Sequence, residues 1–396
     1  MTVTSAHLPA AVGSLVERAL IHDPAHAPLV HVGQAARGTL GGRQMFVLSD
    51  RKRPRMLLPL EGTAAARGLV TAGPGLRSPR ERLARSLVGA ALATGIPQRL
   101  TRNVVVLDQQ VGPDLLDALR VGWTPRVAAI GFSVRQITPN HKPTFIAVDG
   151  RGHVLGYGKM GWDRATRTRV AVEARLLRTL AADPVAGLGV APLLAELDWQ
   201  GRNVIIVQPL PTSARRFPRA QEPPLVLAER ARAGGQHILL GTRAEILTKS
   251  IDATRAEDIS AALLRCRDRV TGRWGDLELP VGLTHGDWVP WNVATCRASV
   301  WAWDWEYGQE QDVPALDLVH WHLQVARLVR HLPLIDAVAP ALQHASVDCL
   351  RVGLPADSAN AVCALGVMQL AVRTLELAQP DAVLRAELVQ LLDGVR

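Results

Sequence analysis

Near residue 125 the chain changes texture, and the change limits how it can be built. Three short runs, RVAAIGFS, PTFIAVD and HVLGYGKMG, follow one another with only TPNHK and GRG between them, as antiparallel meanders require. A helix pattern, RTRVAVEARLLRTLAA, comes next and ends near Asp183 and Pro184. Two more strand patterns, LLAELDWQ and NVIIVQPLP, are joined through Gly201 in an expected hairpin. Beyond 225 the periodicity is mainly helical, broken by LTHGDWVPWNVATC and SVWAWDWEYG, a loop and a strand. The expectation is an α+β chain: a small antiparallel sheet with one helix over residues 123–211, then a larger, mainly helical lobe over 212–396. Residues 1–122 alternate helical patterns (PAAVGSLVERAL, SPRERLARSLVGAALATG, PDLLDALRVGW) with strand-like runs (QMFVLSD, RMLLPL, NVVVLD). They read as an extra N-terminal α/β unit, and no motif there carries chemistry.

Composition narrows the function classes. With 396 residues, 48% hydrophobic and 20% charged, the chain is an ordinary globular protein of two or three lobes. No apolar run approaches the roughly 18 to 20 residues of a membrane span, and the N-terminus lacks the basic start and apolar block of a secretory signal. A cytoplasmic protein without a membrane partner is expected. Cys266, Cys296, Cys349 and Cys363 lack metal-ligand or C-x-x-C spacing, so buried free thiols are expected. The net charge of +9 is carried almost wholly by arginine, since Lys52, Lys142, Lys159 and Lys249 are the only lysines. The arginines are dispersed and no aromatic-and-basic motif accompanies them, which counts against nucleic acid. Attraction of anionic substrates such as nucleotide phosphates explains the sign equally well. RKRPR at 51–55 reads as a solvated loop.

Two charged residues sit where apolar ones belong. Glu173 shares a helix face with Leu176, Leu177 and Leu180 by the i, i+3, i+4, i+7 rule, and a carboxylate buried there needs a cation. Lys159, in phase with Leu155 and Tyr157 along its strand, is a candidate, and its glycine and methionine neighbours leave room for something to approach. The alternative is that Lys159 snorkels to solvent while Glu173 lies at the edge of the stripe.

The stretch LTHGDWVPWN at 283–292 gathers His285, Gly286, Asp287 and Asn292 among apolar neighbours. Asp304 follows in VWAWDWEYG, where Val300, Ala302 and Asp304 would share one side of a strand and three tryptophans the other. Asn292 and Asp304 are oxygen donors suited to a hard cation such as Mg²⁺, which takes few protein ligands. Asp287 is then left to accept a proton or a hydrogen bond from an attacking hydroxyl. A hydrogen-bonded turn at His-Gly-Asp, with Asp304 capping a neighbouring element, accounts for the same residues. His320 and His322, at i, i+2, point to different sides of their helix and are not expected to form a metal pair. The tryptophans read mostly as core or pocket wall, Trp288 and Trp291 being placed to line an acceptor site.

In the order Lys, Glu, Asp, Asn, Asp the set resembles the aminoglycoside phosphotransferase and choline kinase family, relatives of the protein kinases. The pattern H-G-D-x-x-x-x-N is met by His285, Gly286, Asp287 and Asn292, and the following apolar strand ending in Asp by WAWDWE with Asp304. The downstream G-x-x-x-D-x-P-x-x-D-L segment is met by Gly308, Asp312, Pro314, Asp317 and Leu318. The resemblance runs from about 125 to the C-terminus and implies a bilobal, protein-kinase-like fold. It implies ATP and Mg²⁺ as cofactors: Lys159 holds the nucleotide phosphates and pairs with Glu173, Gln208 to Leu210 form the hinge at the adenine, and Asn292 with Asp304 holds the metal. Asp287 orients the acceptor hydroxyl, His285 orders the loop, and Asp317 ties its helix to it. One departure is GFSVRQITPNHKPT, whose only glycine is Gly131. Either nucleotide binding is weak or the phosphate contact falls to Ser133, Arg135 or Lys142. The implied activity is Mg-ATP-dependent transfer of the γ-phosphate to a hydroxyl of a small molecule or natural-product intermediate. Alternatives are a kinase acting on Ser or Thr of a peptide, with a peptide or protein partner engaged through residues 1–122, and a non-catalytic nucleotide-binding scaffold.

Overall fold

Strands about 75 residues apart in the chain pair directly in a computed structural model that describes residues 10–20, 30–32, 43–50, 53–101, 104–107, 114–134, 142–219, 221–249, 256–377 and 380–395. The class is α+β, as expected. The chain divides into two units, residues 1–178 with 191–215, and residues 179–190 with 216–396.

The first unit is an antiparallel sheet covered by helices. Its strands are β1 (Val30–Val32), β2 (Arg43–Asp50), β3 (Arg53–Pro59), β4 (Val104–Leu107), β5 (Ala129–Ser133), β6 (Thr144–Val148) and β7 (Val154–Gly161). After β8 (Leu188–Val190), which belongs to the second unit, β9 (Leu193–Trp199) and β10 (Arg202–Val207) complete it. The order across the sheet is β1-β4-β2-β3-β5-β6-β7-β10-β9. Its helices are α1 (Ala10–Leu20), α2 (Thr63–Thr71), α3 (Pro79–Ala93), α4 (Ile96–Leu100), α5 (Leu115–Gly122) and α6 (Arg164–Ala182), whose last turn passes into the second unit. Period-2 alternation explains the layering. Met45, Leu57, Phe132 and Phe145 pack with Leu15 of α1 and Leu119 of α5, while Phe46, Leu58 and Ile146 pack with Leu69 of α2 and Leu92 of α3.

The boundary expected at 122 therefore falls inside the first unit. Met56 and Leu57 of β3 pair with Ser133 and Phe132 of β5, so the N-terminal strands extend the expected small sheet instead of forming a separate body. The physical reason is that β5 would otherwise be an edge with unpaired N–H and C=O groups. The second unit takes up the chain again at Arg216.

The two-residue strand β11 (Arg215–Arg216) stands where the chain passes to the second unit. That unit is mainly helical: α7 (Val226–Gly234), α8 (Leu240–Lys249), α9 (Glu257–Trp274), α10 (Ala315–Gln324), α11 (Leu334–Arg351), α12 (Ala356–Leu377) and α13 (Ala382–Gly394). Short strands carry its loops: β12 (His237–Leu239), β13 (Glu278–Pro280), β14 (Gly282–Thr284), β15 (Val293–Cys296), β16 (Ser299–Ala302) and β17 (Gln309–Asp312). One continuous core joins α8 and α9 to α10, α11 and α12. Against the expectation of no such run, Ala356–Glu376 of α12 is long and apolar enough to cross a membrane. It is 67% buried, and the role of a core helix accounts for its composition. The four cysteines are free and buried, as expected.

Candidate active site

In the first unit, register places Lys159 of β7 between Thr144 of β6 and Ile205 of β10. Helix α6 packs Val170 and Ala174 on Ile205, and Glu173, between them in the chain, meets the lysine. Lys159 Nζ donates to both Glu173 carboxylate oxygens at 2.6 Å. The side chains are 15% and 3% exposed, so the cation sought for the buried Glu173 is Lys159. The space beside Lys159 is another matter. A Cβ on Gly158 would stand 2.0 Å from the Phe145 ring, and one on Gly156 would stand 2.7 Å from Ile206. These glycines admit core side chains rather than a ligand. Gln208 follows β10 and donates its backbone N–H to the Pro192 carbonyl at 2.9 Å, so this donor is already committed. Leu210 is half-buried. Ser133 lies within β5, paired with Thr144, Lys142 is half-buried, and Arg135 lies outside the described residues.

In the second unit, the loop 285–292 joins β14 to β15 and turns on Gly286 with φ +77°. There a Cβ would fall 2.1 Å from the Tyr307 carbonyl oxygen, so only glycine fits. His285 is fully buried. Its Nδ1 accepts the Asp287 N–H at 3.2 Å, so its Nε2 carries the proton and donates to the Trp303 carbonyl at 2.9 Å. It orders the loop. Asp317, in the first turn of α10, accepts the N–H groups of His285 and Gly286 at 2.7 and 2.9 Å. Burial pushes its carboxyl up to about 7 despite these donors and Arg373.

Asp287 is gripped from two sides. Its Oδ2 accepts from Asn292 Nδ2 at 2.8 Å and its Oδ1 from His320 Nε2 at 2.9 Å. The Nδ1 of His320 faces an Arg373 guanidinium nitrogen at 3.2 Å, a group that can only donate. The His320 proton is therefore on Nε2, pointing at Asp287. Arg373 also donates to the Gly286 carbonyl. Burial raises the Asp287 carboxyl, but the His320 hydrogen bond and the Arg373 guanidinium outweigh it and hold the group well below the usual carboxylate range. Burial and Arg373 lower His320, which keeps it neutral beside an ionised Asp287.

Asp304 is not at the end of the strand. β16 stops at Ala302, and Asp304 takes a left-handed φ of +72°, so the alternation breaks before it reaches the acid. The backbone still brings it near: Trp303 N–H donates to the Asn292 carbonyl at 3.1 Å. A strained non-glycine residue is costly and is common where geometry is functional. Carboxylate oxygens of Asp304 and Glu306 lie within 4.8 Å of each other. Asn292 turns its NH₂ to Asp287, which directs its Oδ1 elsewhere. An amide oxygen and two carboxylates form a donor set that fits Mg²⁺.

A cavity of about 280 Å³ opens beside Asp287, lined also by His320, Arg373, Arg327, Gln324 and Gln369, with leucine side chains as its apolar wall. Trp288 is not among its walls. It is buried, donates to the Pro224 carbonyl at 3.1 Å and flanks His285. His320 and Arg373 went unforeseen. The pairing of His320 with His322 was the wrong comparison, because His322 bonds Asp348. The useful spacing is from Asp317 to His320, i, i+3, which puts both on the helix face turned to the loop. Arg373 reaches the site from α12 with no local signal.

No family model and no curated protein matches the chain. Solved structures similar to it include the aminoglycoside phosphotransferase APH(4)-Ia, as a thermostable mutant with ADP and hygromycin B. It is 12% identical over 72% of this chain and 100% of that one, with a TM-score of 0.47. Amicoumacin kinase hAmiN, in complex with AMP-PNP, Ca²⁺ and Ami, is 13% identical over 71% and 92%, with a TM-score of 0.41. Choline kinase LicA from Streptococcus pneumoniae is 13% identical over 69% and 96%, with a TM-score of 0.37.

Proposed function

We propose that the chain is a Mg-ATP-dependent phosphotransferase acting on a hydroxyl. The observation that carries this reading is the state of Asp287. It is an ionised carboxylate fixed by Asn292 and by a neutral His320, and it opens on a cavity. The buried Lys159–Glu173 pair supports it from the first unit.

In this reading Lys159, held by Glu173, binds the nucleotide phosphates, with the Gln208 to Leu210 segment at the base. Asn292 and Asp304, with Glu306 close by, hold Mg²⁺, which neutralises phosphate charge when bound. Asp287 aligns the acceptor hydroxyl and receives its proton as the acceptor oxygen bonds to the γ-phosphorus. The bond from the γ-phosphorus to the bridging oxygen breaks and ADP leaves. His320 and Asn292 keep the carboxylate aimed, so most of the rate comes from positioning and charge.

The test is Mg²⁺-dependent ATP turnover across a panel of hydroxyl-bearing acceptors, Ser-containing peptides included. Turnover that one acceptor class stimulates, and that Asp287→Ala lowers by roughly 10² to 10⁴ and Asp304→Ala abolishes, is expected. Nucleotide binding without turnover for any acceptor would replace this reading with a nucleotide-binding scaffold.

A further inference from the structure

We infer that the cavity beside Asp287 takes a small hydroxyl-bearing acceptor carrying a carboxylate or phosphate, not an amine, an assignment that rests on the phosphotransferase reading. Among the described residues Asp287 is the only carboxylate lining the cavity, and it is already engaged by His320 and Asn292. Of the other acids nearby, Asp304 and Glu306 make up the proposed metal site, and the rest are turned to structural work. Asp312 pairs with Arg243, Asp317 accepts two loop N–H groups, and Glu310 accepts from Thr179. A bound ammonium would thus find no acid of its own, and would face two guanidinium groups.

One of these, Arg373, is committed to His320 and the Gly286 carbonyl. The other, Arg327, is half-buried in the cavity wall, with no hydrogen bond or ion pair among the described residues. It sits on a π-helical turn, Val325–Val329, that continues α10. Such turns widen a helix and often occur at functional sites. Gln369 lines the same cavity from α12, and its Oε1 is buried without a hydrogen-bond partner. A buried amide oxygen left in that state costs stability until a donor arrives, and an acceptor hydroxyl is such a donor. Arg327 for the anion, Gln369 for a hydroxyl and Leu316, Leu323 and Leu370 for carbon atoms together describe a short polyhydroxy acid or its phosphate analogue. The volume of about 280 Å³ lies at the lower end of ligand pockets. The net charge of +9 steers anions toward the protein.

The experiment uses the full chain with Mg²⁺ and ATP and four matched three-carbon acceptors: glycerate, glycerol 3-phosphate, glycerol and 3-amino-1,2-propanediol. We expect glycerate or glycerol 3-phosphate, whichever anion fits, to exceed glycerol and the amine by about tenfold or more in kcat/KM, the size of one good ion pair. Arg327→Gln removes the advantage mainly through KM, and Arg327→Glu turns preference toward the amine. Preference for the amine in the native protein, or an order unchanged by Arg327→Glu, overturns the inference. If none of the four is turned over above the Asp287→Ala background, the phosphotransferase reading loses its support for this cavity. Calorimetric binding of the same compounds then decides the rest. Anion binding lost in Arg327→Gln and retained in Asp287→Ala keeps the anion pocket, whereas no selectivity among the four removes it.

Discussion

Burying Glu173 at 3% side-chain exposure is made tolerable by Lys159, which reaches both of its oxygens. Removing one partner of such a pair leaves an uncompensated charge, which typically costs 3 to 5 kcal/mol. Glu173→Leu is therefore expected to lose roughly 3 kcal/mol, and the double change Lys159→Met with Glu173→Leu to recover most of it. Denaturant unfolding of the three variants measures both. His320 tests positioning instead. His320→Ala is expected to lower kcat roughly ten- to a hundredfold while the KM for nucleotide stays put. His320→Gln, whose amide can still donate to Asp287, restores part of the rate, and steady-state kinetics with varied nucleotide separate the two effects. Glu173 was readable because an acid on an apolar stripe breaks a pattern. His320 was not, because a histidine on a helix breaks none.

Helix α10 earns its place through its first turn. Asp317 accepts the N–H groups of His285 and Gly286, and one turn on His320 meets Asp287. Helix α10 thus aims two side chains at one loop. Burial puts the folded Asp317 carboxyl at about 7, against about 3.9 for a free one. Between these values the folded state binds more protons than the unfolded state, so this group's contribution to stability falls as pH rises from about 4 to about 7. Asp317→Asn is expected to be less stable overall and to lose that falling component, which unfolding free energies measured at several pH values would reveal. A parallel pH dependence in variant and native protein would rule the assignment out. At this scale most helices and strands follow from periodicity. The failure at Asp304 has a local cause: period-2 alternation assumes extended backbone, but the strand stops at Ala302 and residue 304 is left-handed.

Across the whole molecule the N-terminal region is part of the sheet rather than an appendage. β3 pairs with β5, and α1, α2, α3 and α5 cover the two faces of the strands that follow. A chain beginning at residue 123 would expose the β5 edge and both apolar faces, the conditions for edge-to-edge aggregation. It is expected to be insoluble or to lack a cooperative unfolding transition, as soluble yield and thermal melts would show. A cooperative, soluble fragment would mean that residues 1–122 are dispensable for folding. By itself the sequence determined the elements, the α+β class, the need of Glu173 for a cation and the His-Gly-Asp loop, since each is written in spacings of a few residues. Only the tertiary structure decided that β3 joins β5, that His320 and Arg373 converge on Asp287, and that Phe145 rather than a ligand fills the gap at Gly158. Those are meetings of residues up to 87 positions apart. Pairing and packing select them by satisfying buried polar groups and filling space, and neither leaves a local period to read.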